Sequence, residues 1–308
     1  MEIGIGAPLA GSWAGPRQLA LIASLAEELG YHELWGFQRL LAPADGGGDV
    51  VYRSVLDPLL SLTYAAAHTE RVRLGIAVLN APFISPTYLA KQASTLDVLS
   101  GGRFDLGLGT GWSPIEFKAT GAEQARRGSR VAEYVKVLRE LWSEGPTSFE
   151  GEFYHVPESR MEPKPVQPAG PPILLGGSVP AALARAGSLA DGWISRSATV
   201  LANIATEVAT VREAAEQAGR DPSALRIVTR GVVRYDPAGK GTPDAEGRRL
   251  RLSGTADQIR EDAAWLAEQG VTELFYDLNW DPRIGNPEAE PSAALDRAEE
   301  ILRALAPQ

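Results

Sequence analysis

Short apolar runs alternate with longer amphipathic segments from one end of this chain to the other, and that rhythm constrains the fold more than any other feature. A short, continuous apolar run reads as a strand buried on both faces. A segment with apolar residues three and four apart reads as a helix with one buried stripe. Strand then helix, repeated, implies parallel strands joined by crossover helices. The eight strand runs are Glu2–Gly6, Glu33–Phe37, Val72–Leu79, Arg103–Leu108, Pro172–Leu175, Gly192–Ser195, Leu225–Tyr235 and Glu273–Leu278. Eight units favour a closed (β/α)8 TIM barrel over an open doubly wound sheet.

The helical segments carry their own punctuation. Leu19, Ile22, Ala23, Ala26 and Leu29 form one stripe, which Gly30 can end. Ser85-Pro86 is a helix start, with Ser as cap and Pro at the first helical position. Leu89, Ala93, Leu96 and Leu99 follow on one face, and Ser100-Gly101-Gly102 stops that helix. Gly128–Trp142 is a long helix with Val131, Tyr134, Val135, Leu138 and Trp142 inward. Thr255 and Gln258 make a capping box, and a last helix starts near Pro291. Two segments break the rhythm. Gly145–Gly170 holds five prolines, and Pro237–Arg251 is polar and glycine-rich. Both read as excursions from one barrel domain spanning 1–308 rather than as linkers. Asp45–Asp49 (DGGGD) is a loop candidate after the second strand.

The chain has 308 residues, enough for a barrel of about 250 plus insertions. It has no cysteine, which excludes disulfides, zinc–thiolate sites and thiol nucleophiles. A net charge of −9 argues against a nucleic-acid partner, which needs a basic face. No apolar run is long enough to span a membrane, and the N-terminus has no basic stretch before an apolar core. The expected location is the cytoplasm. His32, His68 and His155 are isolated, so no metal site is expected.

Barrel active sites lie at the C-terminal ends of the strands. Gln38 and Arg39 follow the second strand, Asn80 the third, Thr110-Gly111-Trp112 the fourth, and Gly176-Gly177-Ser178 the fifth. The last group suits a phosphate. Two glycines let the backbone approach an anion, the next helix offers free N–H groups, and Ser178 adds a donor. A plain strand-to-helix turn is the other reading. Gly107-Leu108-Gly109-Thr110-Gly111 lacks dinucleotide-loop spacing, so its glycines are expected to allow close packing. Trp112 reads equally as core or as the wall of a planar pocket. Arg126-Arg127 reads as a solvated helix start.

Several separate motifs resemble one family in its own order. They are LGIAVLNAPFISPTYLAKQASTLDVLSGGRFDLGLGTGW from Leu74, Glu116-Phe117, LRELW at Leu138–Trp142, and FEGEFYHV at Phe149–Val156. PKPVQ at Pro163–Gln167, PPILLGG before Ser178 and ADGWI at Ala190–Ile194 complete the set. The chain resembles the luciferase-like flavin oxidoreductases, and among them the members that use the deazaflavin coenzyme F420. The resemblance implies a non-prolyl cis peptide at Ala77–Val78 behind the cofactor ring. It implies Thr110, Gly111 and Trp112 beside the ring, and Gly176, Gly177 and Ser178 on the cofactor phosphate. Sugar-phosphate dehydrogenases of this kind carry Asp-His after the second strand. Here Gln38-Arg39 stands in that place, and neither side chain exchanges protons near neutral pH.

The expected activity is hydride transfer between deazaflavin and a small organic substrate. Gln38 and Arg39 would be polar anchors, with Glu116 or a substrate-borne proton serving protonation. An FMN-dependent monooxygenase is the alternative, and a cofactor-binding barrel without turnover is the third reading. A flavin or F420 reductase would supply reduced cofactor. The oligomeric state stays open, with a homodimer as the candidate.

Overall fold

A computed structural model describes residues 1–307. Twelve strands run in chain order: β1 (Glu2–Gly6), β2 (Glu33–Gly36), β3 (Arg73–Asn80), β4 (Phe104–Gly109), β5 (Thr147–Glu150), β6 (His155–Ser159), β7 (Ile173–Gly176), β8 (Gly192–Ile194), β9 (Arg226–Val232), β10 (Arg234–Tyr235), β11 (Ser253–Gly254) and β12 (Glu273–Asp277). Eight of them close a parallel barrel in the order β1-β12-β9-β8-β7-β4-β3-β2. The helices are α1 (Pro16–Glu28), α2 (Pro58–Ala66), α3 (Pro86–Ser100), α4 (Pro114–Thr120), α5 (Arg127–Trp142), α6 (Pro180–Leu189), α7 (Ile204–Gln217), α8 (Ala256–Glu268) and α9 (Pro291–Ala304). No helix among the described residues is long and apolar enough to cross a membrane.

The helix signals act as their chemistry requires. Ser85 caps α3 through Tyr88 N, and Thr255 and Gln258 close the capping box of α8. Gly101, left-handed at φ 67°, ends α3. Leu99 departs from expectation: it is exposed, and Ser100 is buried. With 3.6 residues per turn the inner face passes from Leu96 to Ser100, and Leu99 falls beside it.

The eight expected barrel strands all form, with one correction. Leu225–Tyr235 is two strands. The partner β12 ends at Asp277, opposite Val232, so the chain beyond has no barrel neighbour. It pairs instead with Ser253–Gly254, where the 237–251 excursion returns. The 145–170 excursion contains an antiparallel hairpin, β5 with β6. Glu133 on α5 fastens its turn by accepting from the N–H groups of Glu152, Phe153 and Tyr154. Mostly exposed strands leave little apolar alternation to read.

Inside the barrel the side chains stand in layers. Glu33, Asp105, Arg226 and Glu273 fill the end where the strands begin. Above them Trp35, Ala77, Leu174, Ile194, Val228 and Phe275 form an apolar layer, with Trp35 stacked on Phe275 at 5.4 Å. Gly75 and Gly107 make room for it. A Cβ at Gly75 would lie 2.5 Å from the Trp35 ring, and one at Gly107 would lie 1.9 Å from the Ile76 carbonyl oxygen. The close-packing expectation for the Gly107 segment holds. Above this layer stand Phe37, Arg230 and Asp277.

Candidate active site

Half of the barrel mouth is built from β3, β4 and β7. The Ala77–Val78 peptide is cis, and the register of β3 against β4 shifts between Ile76 and Leu79. The Val78 side chain lies against two strands that present no side chain to it. A Cβ at Gly109 would stand 2.5 Å from Val78 Cγ2, and one at Gly176 would stand 3.2 Å from Val78 Cγ1. Gly177 has φ 145° and leads through Ser178 into α6. Trp193 Nε1 donates to the Gly177 carbonyl at 2.8 Å and fixes that turn. Gly111 is left-handed at φ 73°, and its carbonyl accepts from Arg127 Nη1 at 2.7 Å. Trp112 is 60% exposed, which removes it from the core. Val78 thus faces Gly109 and Gly176, Gly111 packs against Phe117 and Phe83, and Trp112 lies over Arg39 beside Tyr52.

The opposite half comes from β9, β12 and the chain after β2. Arg230 reaches across the axis, donating from Nε to Asp277 Oδ2 at 2.6 Å and from Nη1 to the Ala77 carbonyl at 3.3 Å. Asp277 Oδ1 accepts from Asn279 N and Nδ2, while Asn279 Oδ1 accepts from Ala10 N and Trp13 Nε1. An aromatic wall surrounds the guanidinium, whose carbon lies 4.3 Å from the Trp280 ring centre and 4.9 Å from Phe37. Tyr52 packs edge-on against Trp280 at 5.7 Å and near Trp112 at 6.1 Å.

Gln38 and Arg39 both stand at this mouth, with defined partners. Gln38 Oε1 accepts from Asn80 N at 2.9 Å, tying the β2 end to the end of β3. Arg39 lies between the rings of Tyr52 and Trp112, at 4.9 and 4.5 Å. Its ionic partner is Glu116 at 3.4 Å, an approach too loose for a good hydrogen bond. Glu116 is buried and accepts from Leu40 N at 2.8 Å and Leu41 N at 3.2 Å. Its carboxylate braces the loop after β2. Burial raises the Tyr52 hydroxyl above its ordinary pKa; Arg230 and Arg39 oppose this, while Asp49 and Asp277 add to it. The phenol therefore keeps its proton near neutral pH.

Sequence reading missed Arg230, Asp277, Asn279, Tyr52 and Trp280. A signal exists for the first two. In Arg226–Arg230 and Glu273–Asp277 a charged residue stands at each end of a buried five-residue run, two steps either side of an inward Val228 or Phe275. Alternation puts both ends on the barrel interior. Nothing local marks Tyr52. Arg126, for its part, pairs with Glu152 on the hairpin.

The opposite end of the barrel interior is also charged. Arg226 donates to Asp105 at 2.7 Å, Glu33 at 2.8 Å and Glu273 at 2.7 Å. Arg73 adds two bonds to Asp105, at 2.9 and 2.6 Å. Burial first, then the neighbouring Asp105 and Glu273 charges, push the Glu33 carboxyl well above the usual range. Burial also works against ionised Asp105, yet bonds and charge from Arg73 and Arg226 outweigh it and hold Asp105 low. His32, Glu33 and Glu273 bring possible ligand atoms within 4.8 Å of one another. The two carboxylates are already bonded by Arg226 and by Trp35 Nε1, which is sufficient reason for the grouping.

A family model described as luciferase-like monooxygenase matches residues 4–237. The chain belongs to this family. It is an oxidoreductase on the family's fold. An uncharacterised protein of Mycobacterium tuberculosis is 34% identical over 227 residues, 73% of this chain and 68% of its own length. An F420-dependent glucose-6-phosphate dehydrogenase of Amycolatopsis mediterranei is 31% identical over 187 residues, 59% of this chain and 54% of its own. The pyrimidine monooxygenase RutA of Escherichia coli is 27% identical over 275 residues, covering 86% and 68%. The crystal structure of the monooxygenase RslO1 from Streptomyces bottropensis superposes with a TM-score of 0.81, at 23% identity over 99% of this chain and 98% of that one. Relatives of this luciferase-like oxidoreductase thus include both deazaflavin-dependent enzymes and monooxygenases.

Proposed function

We propose that this chain is a coenzyme F420-dependent oxidoreductase acting on a small organic substrate. The observation that carries the reading is the cradle of the β3–β4–β7 half. There Val78 stands between Gly109 and Gly176, positions where any Cβ would crowd it. That surface fits a flat ring, and the turn at Gly177-Ser178 before α6 fits the phosphate attached to it. The relative named as F420-dependent supports deazaflavin over FMN. A bound deazaflavin supplies a two-electron hydride carrier.

The chain's own residues hold and orient. Ser178 would donate to the phosphate, and Thr110 and Trp112 would border the ring. Gln38 fixes the β3 end through Asn80 N. With Gln38 and Arg39 unable to exchange protons and Glu116 committed to Leu40 and Leu41, the Tyr52 hydroxyl is the proton-bearing group beside Arg39 and Arg230. An FMN-dependent monooxygenase is the second reading, favoured by the 27%-identical pyrimidine monooxygenase.

Fluorescence titration of deazaflavin and FMN side by side tests the choice. Deazaflavin is expected to bind about tenfold tighter or better, a difference of about 1.4 kcal/mol. The reverse order gives the monooxygenase reading the lead. Ser178→Ala should weaken the tighter ligand by about tenfold, in line with a bond to a charged group. Unchanged binding would remove the phosphate assignment. Gly177 is a poorer test site, because φ 145° and Ala182 Cβ at 2.5 Å from an added Cβ burden the fold itself.

A further inference from the structure

The β9–β12–β2 half of the mouth lies across the barrel axis from the cofactor cradle, and its chemistry is different. It offers guanidinium groups and aromatic faces rather than bare glycine backbone. The Arg230 side chain is only 8% exposed. An arginine has five N–H donors in a fixed planar fork. Nε and Nη2 of Arg230 both meet Asp277 Oδ2, and Nη1 meets the Ala77 carbonyl. That accounts for three donors and leaves one on each Nη atom. Phe37 and Trp280 flank the same guanidinium, while Tyr52 and Trp112 flank Arg39. Two nearby carboxylates already have partners: Asp277 holds Arg230 and Asn279, and Glu116 holds Arg39 and the loop. The exposed Trp112, Leu40 and Leu41 give the rim an apolar character.

We infer that this half binds the substrate, and that the substrate is a planar aromatic carboxylate or an equivalent ring-borne oxyanion. The remaining N–H groups of Arg230 take its anionic end, and Phe37, Tyr52 and Trp280 wall its ring. A planar fork prefers a planar oxyanion and binds it more strongly than a neutral amide of the same shape. Asp277, itself held by two donors of Asn279, fixes the fork in place, so little side-chain freedom is lost on binding. The term substrate rests on the reading of the opposite half as the cofactor side. The anion site itself stands on the geometry of Arg230.

The probes are benzoate and its neutral isostere benzamide, titrated into the full-length chain by calorimetry, with tryptophan fluorescence as a second readout. Benzoate is expected to bind about tenfold tighter than benzamide, with the same preference when deazaflavin or FMN is already bound. Arg230→Gln should erase the preference, whereas Arg39→Gln should keep most of it. If the Gln variant fails to fold, Arg230→Lys serves. It keeps the charge without the fork, so the preference should shrink by about threefold or more. Equal binding of the two probes overturns the inference. So does a preference that survives loss of the Arg230 fork, or one that follows Arg39 instead. Displacement of benzoate by the cofactor overturns it too, since the guanidinium would then face the cofactor ring. Should neither cofactor bind while benzoate keeps its Arg230-dependent preference, the cofactor reading fails and the anion site stands.

Discussion

Arg226 and Arg230 stand four residues apart on one strand and face the same interior, yet they do opposite things. Arg226, where the strands begin, is surrounded by Glu33, Asp105 and Glu273. Those three carboxylates, with Arg73 alongside on Asp105, form one ion-pair network. Arg230, where the strands end, meets Asp277 and one carbonyl and keeps donors in reserve. The apolar layer of Trp35, Val228 and Phe275 separates them. The difference lies in how many carboxylates surround each guanidinium. A guanidinium shared among three carboxylates braces the barrel, and one held by a single carboxylate can take a second anion. Barrels generally keep stability at the first end and chemistry at the second.

The largest expected effect breaks the first arginine against the second. Arg226→Leu leaves three acidic groups around one lost partner. It should cost about 3 kcal/mol, the low end for breaking a buried ion pair, since the guanidinium is a quarter exposed. Arg230→Leu should cost clearly less, because Asp277 keeps two donors from Asn279. Urea unfolding of both variants compares them directly. Equal losses would mean that the mouth arginine is as structural as the other.

The next test sharpens the comparison through pH. The folded pKa of Glu33 is raised, so the folded state holds that proton more tightly than the unfolded chain does. Its contribution is complete below the ordinary carboxylate range and is lost as pH rises through the raised value. Asp105 runs the other way: its depressed pKa adds stability above the ordinary range, lost on acidification. Glu33→Gln mimics the neutral acid. It should flatten the decline of stability with rising pH, a slope of at most about 1.4 kcal/mol per pH unit for one proton. A wild-type and variant pair with identical slopes would show that Glu33 ionises freely in the fold.

The smallest effect belongs to the hinge between the two halves of the mouth. Gln38→Ala removes the bond to Asn80 N, worth about 1 kcal/mol. The loss should appear as weaker cofactor binding, because the end of β3 carries Val78, which faces Gly109 and Gly176. Unchanged affinity with a lowered Tm would make Gln38 a strand tie and no more.

Periodicity was enough for the barrel because each strand and helix declares itself locally. A doubly buried strand must be apolar, a helix must carry a stripe, and caps must satisfy free N–H groups. Leu99 and the split at Val232 were missed for the same reason from the other side. Which residue completes a face, and where a strand runs out of neighbours, depends on partners far along the chain. The glycine-flanked surface at Val78 was legible as family motifs, and the cis bond lies at Ala77–Val78 as those motifs imply. Glu116 was expected to serve protonation, and its partners at Leu40 and Leu41, more than 70 residues away, were not foreseen. Tyr52 and Trp280 lie on short turns with no pattern of their own, and closure of the barrel alone brings them together. The sequence by itself determined which segments are strands and helices, because burial acts on each segment separately. Only the tertiary structure decided that Arg226 meets three carboxylates and Arg230 one. That difference depends on how many carboxylates other strands bring to each level of the barrel.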